Sequence, residues 1–293
     1  MRRDAVMLVA HGTVTDLDDL PGFVRNIRRG RPAPPGLVEE LRRRYEAIGG
    51  SPLLEITGRQ GRALGELLGL PVLTAMRLWH PSVEDVLCDA VEQGYERLCV
   101  LPLAPFSVHV YHEAAERSLA AIGDTLPRMP ELVRVEPWGT EPVFVEAHAS
   151  RIERALAEAG EAALVLTAHS LPSRAIAAGD PYADQVSVCA RAVGEKLGRA
   201  YRLAYQSQGA DGGDWLGPDV KRTLEQIHAD GLRSVIAAPI GFPAEHVETL
   251  YDLDIEAARQ ARELGLDWRR VPALDDDPGL VQALAAVARR ALG

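Results

Sequence analysis

Short apolar runs alternate with helical patterns along all 293 residues, and few architectures can accommodate that alternation. Apolar runs of this length with helices between them are typical of parallel strands that helices cover on both faces. The pattern therefore predicts an α/β fold. The predicted strands are 5–10, 72–78, 97–103, 132–137, 163–168, 202–205, 234–239 and 267–271. The predicted helices are 37–48, 59–68, 83–93, 111–122, 141–159, 183–197, 219–229, 246–264 and 279–292.

Two phrases from the first half of the chain return in the second half. LVAHGT at 8–13 resembles LTAHSL at 166–171, and 97–106 resembles 233–242, in the same order. The repetition predicts two similar α/β domains, 1–140 and 141–293, with the C-terminal helix able to pack back on the first domain. The alternative is that the phrases reflect only the strand patterns that all α/β folds share.

His11 and His169 end equivalent predicted strands in the two halves. In open α/β sheets, ligands bind outside the carboxyl ends of the strands. Histidine is also the usual base and metal ligand near neutral pH. If the two sheets face a central cleft, these two histidines line it from opposite walls.

The net charge of −10 conceals a local excess of arginine. Only two of the 32 basic residues are lysine, and residues 21–45 hold seven arginines against two glutamates. An acidic chain argues against a nucleic-acid partner, which requires many phosphate contacts. A local arginine cluster suits a small carboxylate or phosphate ligand. The cluster is also compatible with a nucleic-acid-type patch, or with a role in solubility alone.

Three carboxylates follow one another at a spacing of four residues near the end of the chain. Glu248, Asp252 and Glu256 fall on one stripe of a predicted helix, where like charges repel. Oxygen ligands in a row suit a hydrated divalent cation that passes along the helix. The alternative is an ordinary acidic face in contact with solvent.

Several classes of protein are excluded because the sequence lacks their characteristic motifs. The three cysteines include no Cys-x-x-Cys pair, so neither an iron–sulfur cluster nor a structural zinc site is expected. No apolar run is long enough for a transmembrane segment, and the apolar stretch at 5–10 is too short for a signal peptide. We therefore expect a cytoplasmic protein. Dehydrogenase, phosphotransferase, zincin and hydrolase motifs are also missing.

Phrases spread over almost the whole chain resemble the ferrochelatases, the enzymes that insert ferrous iron into a porphyrin. They run in the family's order, and the closest resemblance is to the soluble bacterial branch, which includes coproporphyrin ferrochelatases. The resemblance implies two Rossmann-like domains with parallel sheets that face a central cleft, a chelatase-like fold. The phrases are NIRRGR at 26–31, RYEAIGG at 44–50, SPL at 51–53, AHSLP at 168–172, GDPY at 179–182, YQS at 205–207, WLGPD at 215–219 and the stretch 246–256.

The resemblance also implies roles for individual residues. His169 matches the family histidine at the metal-insertion face, and Glu248 matches its partner, so these two are the implied catalytic residues. The implied metal-handling set is His169, Glu248, Asp252 and Glu256, in which the acidic stripe delivers the metal or removes protons. The implied substrate contacts are His11, Arg28, Arg44, Tyr45, Ser51 and Tyr111.

The chain departs from the family pattern at three places. His11 replaces the tyrosine of the soluble branch, and its imidazole is able to ligate an inserted iron from the opposite side. Glu245 replaces an aspartate, which gives the same charge a longer reach. The segment 103–111 is shorter than in that branch.

The implied activity is insertion of Fe²⁺ into a metal-free porphyrin in haem biosynthesis. The arginine-rich segment favours coproporphyrin III, with four propionates, over protoporphyrin IX, with two. No cofactor is expected beyond the substrate Fe²⁺. The expected partners are the porphyrin and ferrous iron, with transient contacts to neighbouring enzymes of the haem pathway. The alternatives are a cobalt or nickel chelatase for sirohydrochlorin, and a non-catalytic haem- or metal-binding protein.

Overall fold

The computed structural model describes residues 3–209 and 213–293. The chain divides into two compact units. The first contains the residues up to Arg42, Ser51–Trp138 and Asp275–Gly293, and the second contains Arg43–Gly50 and Gly139–Leu274. The sequence predicts domains 1–140 and 141–293, with a C-terminal helix able to pack back on the first domain. In the structure, Asp275–Gly293 belongs to the first unit, and Arg43–Gly50 belongs to the second unit and not to the first.

Strands and helices alternate along the described ranges. The strands are β1 (Asp4–Ala10), β2 (Val72–Met76), β3 (Arg97–Pro102), β4 (Glu131–Arg134), β5 (Ala163–His169), β6 (Arg202–Gln206), β7 (Ser234–Ala238) and β8 (Asp267–Arg270). The helices are α1 (Leu20–Ile27), α2 (Leu37–Ala47), α3 (Leu53–Leu68), α4 (Val83–Glu92), α5 (His109–Ile122), α6 (Pro142–Ala159), α7 (Ser173–Ala177), α8 (Tyr182–Leu197), α9 (Val220–Ala229), α10 (Val247–Leu250), α11 (Ala258–Glu263) and α12 (Pro278–Leu292). Asp252–Ala257, between α10 and α11, is a π-helical segment.

The first unit is a parallel sheet with helices on both faces. Its strands lie in the order β2-β1-β3-β4. Alternate residues of β1 point to opposite faces, so Met7 packs with apolar residues of α4 and α5, whereas Leu8 lies towards α3. Helix α12 packs against α3 and β3. Because both faces are covered, the central strand β1 is almost continuously apolar.

The second unit repeats this arrangement. Its parallel strands lie in the order β6-β5-β7-β8, so β5 occupies the place that β1 has in the first sheet. Val165 and Val235 pack with Leu224 of α9 and with Leu253 of the π-helical segment. Helices α6 and α8 pack against each other, and α6 also contacts β7. The phrases that recur in the sequence therefore fall on equivalent strands, β1 with β5 and β3 with β7.

The predicted secondary structure needs four corrections, one of which is that α3 begins at Leu53 and not at residue 59. Two helices were missed: α1, where Pro21 and the basic residues obscure a short apolar face, and the five-residue α7. The single helix predicted for 246–264 is instead three segments, because the backbone changes to π-helical hydrogen bonds at its centre. Within the described ranges, no helix combines the length and apolar character that crossing a bilayer requires.

Candidate functional site

His169 and Glu248 form a hydrogen-bonded pair in the second unit. His169 is the last residue of β5, and its Nδ1 lies 2.9 Å from Oε2 of Glu248, on α10. Each side chain is about one-third exposed, at 33% and 29%. Because a carboxylate only accepts hydrogen bonds, Nδ1 carries the proton, and Nε2 is the nitrogen that remains to accept a proton or bind a metal.

The local fold holds this pair at the carboxyl end of the sheet, where α/β proteins bind ligands. The turn after β7 passes so close to β5 that a Cβ on Gly241 would lie 2.9 Å from Cβ of Ala168. Gln206, at the end of the adjacent strand, donates from Nε2 to the backbone oxygen of Glu248 at 2.7 Å. The ring of Phe242 meets the His169 ring edge-on. Both partners of the pair are thus fixed by neighbouring strands.

His169 and Glu248 each stabilise the charged form of the other. Burial works to lower the pKa of His169, but the charge and hydrogen bond of Glu248, together with the charge of Asp252, outweigh it and raise that pKa. Burial likewise works to raise the pKa of Glu248, but His169 and His246 hold it well below its usual range. Glu248 is therefore ionised at neutral pH, and His169 has an enhanced affinity for a proton.

Asp252 lies on the π-helical segment and is almost fully buried. Arg44 donates from Nη1 to Oδ1 of Asp252 at 3.0 Å and also lies over the Tyr251 ring, while Ser207 donates to Oδ2. Burial raises the pKa of Asp252 to about 6, helped by the charges of Glu248 and Glu256 and opposed by Ser207 and Arg44. A carboxylate with this pKa exchanges protons close to neutral pH.

The acidic stripe follows a helix of unusual geometry. The N–H of Glu256 donates to the oxygen of Tyr251, five residues earlier, at 3.0 Å, which makes the turn wider than in an α-helix. A cavity of about 250 Å³ adjoins Asp252 and Glu256. Among the described residues, no three His, Cys, Asp or Glu side chains are close enough to hold a metal ion at once. The predicted metal-handling residues therefore do not form a closed metal cage.

Two predicted substrate contacts lie together in the first unit. His11 follows β1, and its Nδ1 is 3.2 Å from Nη2 of Arg77. The same guanidinium lies 5.2 Å from the centre of the Tyr111 ring, in the first turn of α5. The next residue, Gly12, has φ of +116°, and a Cβ there would lie 3.1 Å from the backbone nitrogen of Trp79. This close approach requires glycine immediately after His11.

The remaining predicted contacts lie directly after α1, on α2 and in the turn before α3. Arg28 follows α1 and donates from Nε to the oxygen of Pro32, which shapes the arginine-rich loop. Tyr45, in the second unit, is buried on α2. Ser51, in the first unit, accepts from the N–H of Leu53 at the start of α3.

Several residues that support the second-unit site have no role that their local sequence predicts. Ser207 and Gln206 belong to the phrase YQS, and their position at the end of β6, beside β5, is the signal that could have found them. Phe242 occupies the equivalent place after β7. Arg270 of β8 gives no such signal, because only the folded chain brings it to its two carboxylate partners.

The fold is similar to that of known chelatases. SirB from Bacillus subtilis with Fe³⁺ superposes with a TM-score of 0.63 at 16% identity, over 99% of this chain and 95% of SirB. CbiX, described as the terminal enzyme for biosynthesis of siroheme in denitrifying bacteria, superposes with a TM-score of 0.58 at 15% identity, over 99% of this chain and all of CbiX. At such identities the similarity concerns the fold alone.

The sequence identifies the family within that class. The family model named Ferrochelatase matches residues 3–292. A ferrochelatase from Acidobacterium capsulatum is 38% identical over 315 residues, with 99% of this chain and 95% of the relative covered. A coproporphyrin III ferrochelatase from a Geobacillus species is 33% identical over 305 residues, with coverages of 98% and 97%. The chain belongs to the ferrochelatase family and is an enzyme that inserts a metal into a porphyrin.

Proposed function

We propose that this enzyme inserts Fe²⁺ into coproporphyrin III in haem biosynthesis, with His169 and Glu248 as its catalytic residues. The observation that carries the proposal is the 2.9 Å hydrogen bond between them at the carboxyl end of β5. Metal insertion must remove two N–H protons from the macrocycle and strip water from the cation. A histidine that carries an ionised carboxylate on one nitrogen is suited to both tasks.

His169 accepts a pyrrole proton at Nε2 while its Nδ1–H remains bonded to Glu248. The resulting imidazolium is stabilised by the carboxylate, which is why the pKa of His169 is raised. The imidazolium then releases that proton from Nε2 to solvent, to which the His169 side chain is partly exposed. His246, whose Nε2 is 3.7 Å from Oε2 of Glu248, helps to stabilise the negative charge of Glu248. The same Nε2 of His169 is a metal ligand when it is unprotonated, so proton removal and metal contact alternate at one atom.

Asp252 and Glu256 guide the hydrated cation towards His169 and Glu248. Oxygen ligands that follow one another along the helix can replace the water of a hydrated divalent cation stepwise. Arg44 compensates the charge of Asp252 and so limits the repulsion among three neighbouring carboxylates. The stripe therefore holds the metal weakly, as delivery requires.

The propionates of the porphyrin are held by the arginine-rich segment. The proposed substrate contacts are His11, Arg28, Arg44, Tyr45, Ser51 and Tyr111. Arginine binds carboxylates in a bidentate manner and keeps its charge at every physiological pH. Several relatives at 33–35% identity carry the name coproporphyrin III ferrochelatase, which supports the substrate with four propionates.

The free thiols of Cys88, Cys99 and Cys189 support a reducing compartment, the cytoplasm.

Anaerobic kinetics with the two porphyrins test the substrate. One additional arginine–propionate interaction contributes about 1.5–3 kcal/mol, so kcat/KM is expected to be at least about tenfold higher for coproporphyrin III than for protoporphyrin IX. Arg28→Met should reduce that preference. Arg117→Met, which removes an exposed ion pair with Glu113 on α5, should leave it unchanged. Equal values, or a preference for protoporphyrin IX, would show that the substrate assignment is wrong while the family assignment stands.

A further inference from the structure

Arg270, the last residue of β8, is almost fully buried and joins two carboxylates, the buried Glu245 and the exposed Asp254. Its Nε and Nη2 donate to Oδ1 and Oδ2 of Asp254 at 2.6 and 2.7 Å, and its Nη1 donates to Oε1 of Glu245 at 2.6 Å. The Arg270 side chain is 8% exposed. Burial opposes its charge, but the two carboxylates outweigh that effect and raise its pKa. The planar guanidinium binds both oxygens of Asp254 through Nε and Nη2 while its Nη1 reaches Glu245, an arrangement that the single nitrogen of an ammonium cannot reproduce.

The two carboxylates bracket the part of the chain that carries His246, Glu248 and Asp252. Glu245 precedes α10, and Asp254 belongs to the π-helical segment that follows it. One guanidinium therefore fixes the chain on both sides of the proposed catalytic glutamate.

Glu245 passes this constraint to α10 through further hydrogen bonds. Its Oε2 accepts from Oγ1 of the buried Thr249 at 2.5 Å, and its Oε1 accepts from the N–H of Ala273 at 2.9 Å. Thr249 in turn accepts from the N–H of His246 at 3.0 Å. Because Thr249 follows Glu248 directly, the orientation of the Glu248 backbone depends on the position of Glu245.

The bond between Asp254 and Arg270 depends on the π-helical hydrogen-bond pattern of the segment that carries Asp254. The π-helical segment holds about one residue more than an α-helix would need to connect the same two ends. Removing that extra residue would turn Asp254 by about 100° around the helix axis and away from Arg270. The bidentate bond to Asp254 is therefore available only in the register that also sets the spacing of Asp252 and Glu256.

We infer that Arg270 is a positioning residue for metal insertion: through Glu245 and Asp254 it fixes the α10 and π-helical backbone that presents Glu248 to His169. This inference rests on the role of Glu248 given under Proposed function. Arg270 is connected to the reaction only through other residues, so its loss should impair the chemical step and not the binding of the porphyrin.

Steady-state kinetics of Arg270→Lys test the inference. Asp254→Asn is a milder variant, because it weakens only the exposed bond between Arg270 and Asp254 and leaves the bond to Glu245 in place. Outer residues that orient the groups in contact with a metal contribute about 10- to 100-fold to activity. We expect kcat to fall by about tenfold or more in Arg270→Lys and less in Asp254→Asn, with KM for the porphyrin within about twofold of wild type. Arg259→Lys, which alters an exposed ion pair with Glu263 on α11, is the matched control and should retain wild-type kcat.

A double variant separates positioning from general stabilisation. Glu248→Asp keeps the charge but shortens the side chain, so Arg270 no longer has a correctly placed carboxylate to orient. In that background, Arg270→Lys should lower kcat by less than about twofold, since residues that act through one another are not additive. An additive further loss, a rise in KM in place of the fall in kcat, or wild-type kcat in both Arg270→Lys and Asp254→Asn would overturn the inference. If the wild-type protein itself does not insert iron, the proposed function fails instead.

Discussion

Gly241→Ala adds a single methyl group where the turn after β7 touches the end of β5. That Cβ would lie 2.9 Å from Cβ and 3.0 Å from Cα of Ala168, the residue before His169. Non-bonded carbon atoms pack at about 3.5–4.0 Å, so the two segments must separate by about 0.5–1 Å. The resulting overpacking costs about 1–3 kcal/mol of stability.

Because His169 is covalently joined to Ala168, the separation moves it with respect to Glu248. A displacement of about 1 Å in a catalytic group reduces the rate by about a hundredfold. We therefore expect kcat for iron insertion to fall by about 10- to 100-fold, and the melting temperature to fall by a few degrees. Anaerobic porphyrin fluorescence measures the first quantity and differential scanning calorimetry the second.

Gly58→Ala is the matched control for the same change. In α3 the nearest neighbour of the added Cβ is the flexible end of Arg62, at 3.5 Å. Alanine in a helix interior is more favourable than glycine by about 0.5–1 kcal/mol, so this variant should keep wild-type kcat and an unchanged or higher melting temperature. Wild-type kcat in Gly241→Ala would refute the claim that this contact positions His169.

Two further predictions concern stability. Burial raises the pKa of Asp252 from 3.8 to about 6, so the folded state resists its ionisation and loses stability as pH rises through that range. Asp252→Asn should therefore stabilise the protein at pH 7 by about 1–3 kcal/mol in urea unfolding while lowering kcat; a destabilised variant would contradict this. Burial lowers the pKa of His112 below 6.5, although the hydrogen bond to the Val100 oxygen works to raise it. Because the folded state resists protonation of His112, the protein should lose stability as pH falls below 6.5. Urea unfolding between pH 5 and 7 should show that loss, and His112→Phe should reduce it.

The strands and most of the helices could be predicted because each is specified by its own apolar pattern. All eight predicted strands are present, with ends that differ by up to three residues. The shared strand order follows from the repeat, since β1 and β5 carry the same phrase and lie in the same place of their sheets. Helix α1 was not predicted, because Leu20, Phe23 and Val24 give only a short buried face beside a run of arginines.

Only those site residues that belong to short sequence motifs could be predicted from the sequence. His169 and Glu248 belong to two phrases, and their pairing required the resemblance to a family. The π-helical segment could not be predicted, because i to i+4 spacing of carboxylates does not distinguish it from an α-helix. Arg270 was missed for a related reason: its partners Glu245 and Asp254 are remote in sequence, and only the packing of β8 beside β7 brings them together.

Single-turnover metallation by His169→Ala and Glu248→Gln tests the central claim most directly. Loss of a positioned acid–base group reduces a rate by about 10²- to 10⁴-fold. We expect the rate of iron insertion into coproporphyrin III to fall by about a hundredfold or more in each variant, with porphyrin affinity within a few-fold of wild type. His228→Ala, at an exposed position near the end of α9, should keep the wild-type rate. Wild-type insertion rates in His169→Ala or Glu248→Gln would contradict the account.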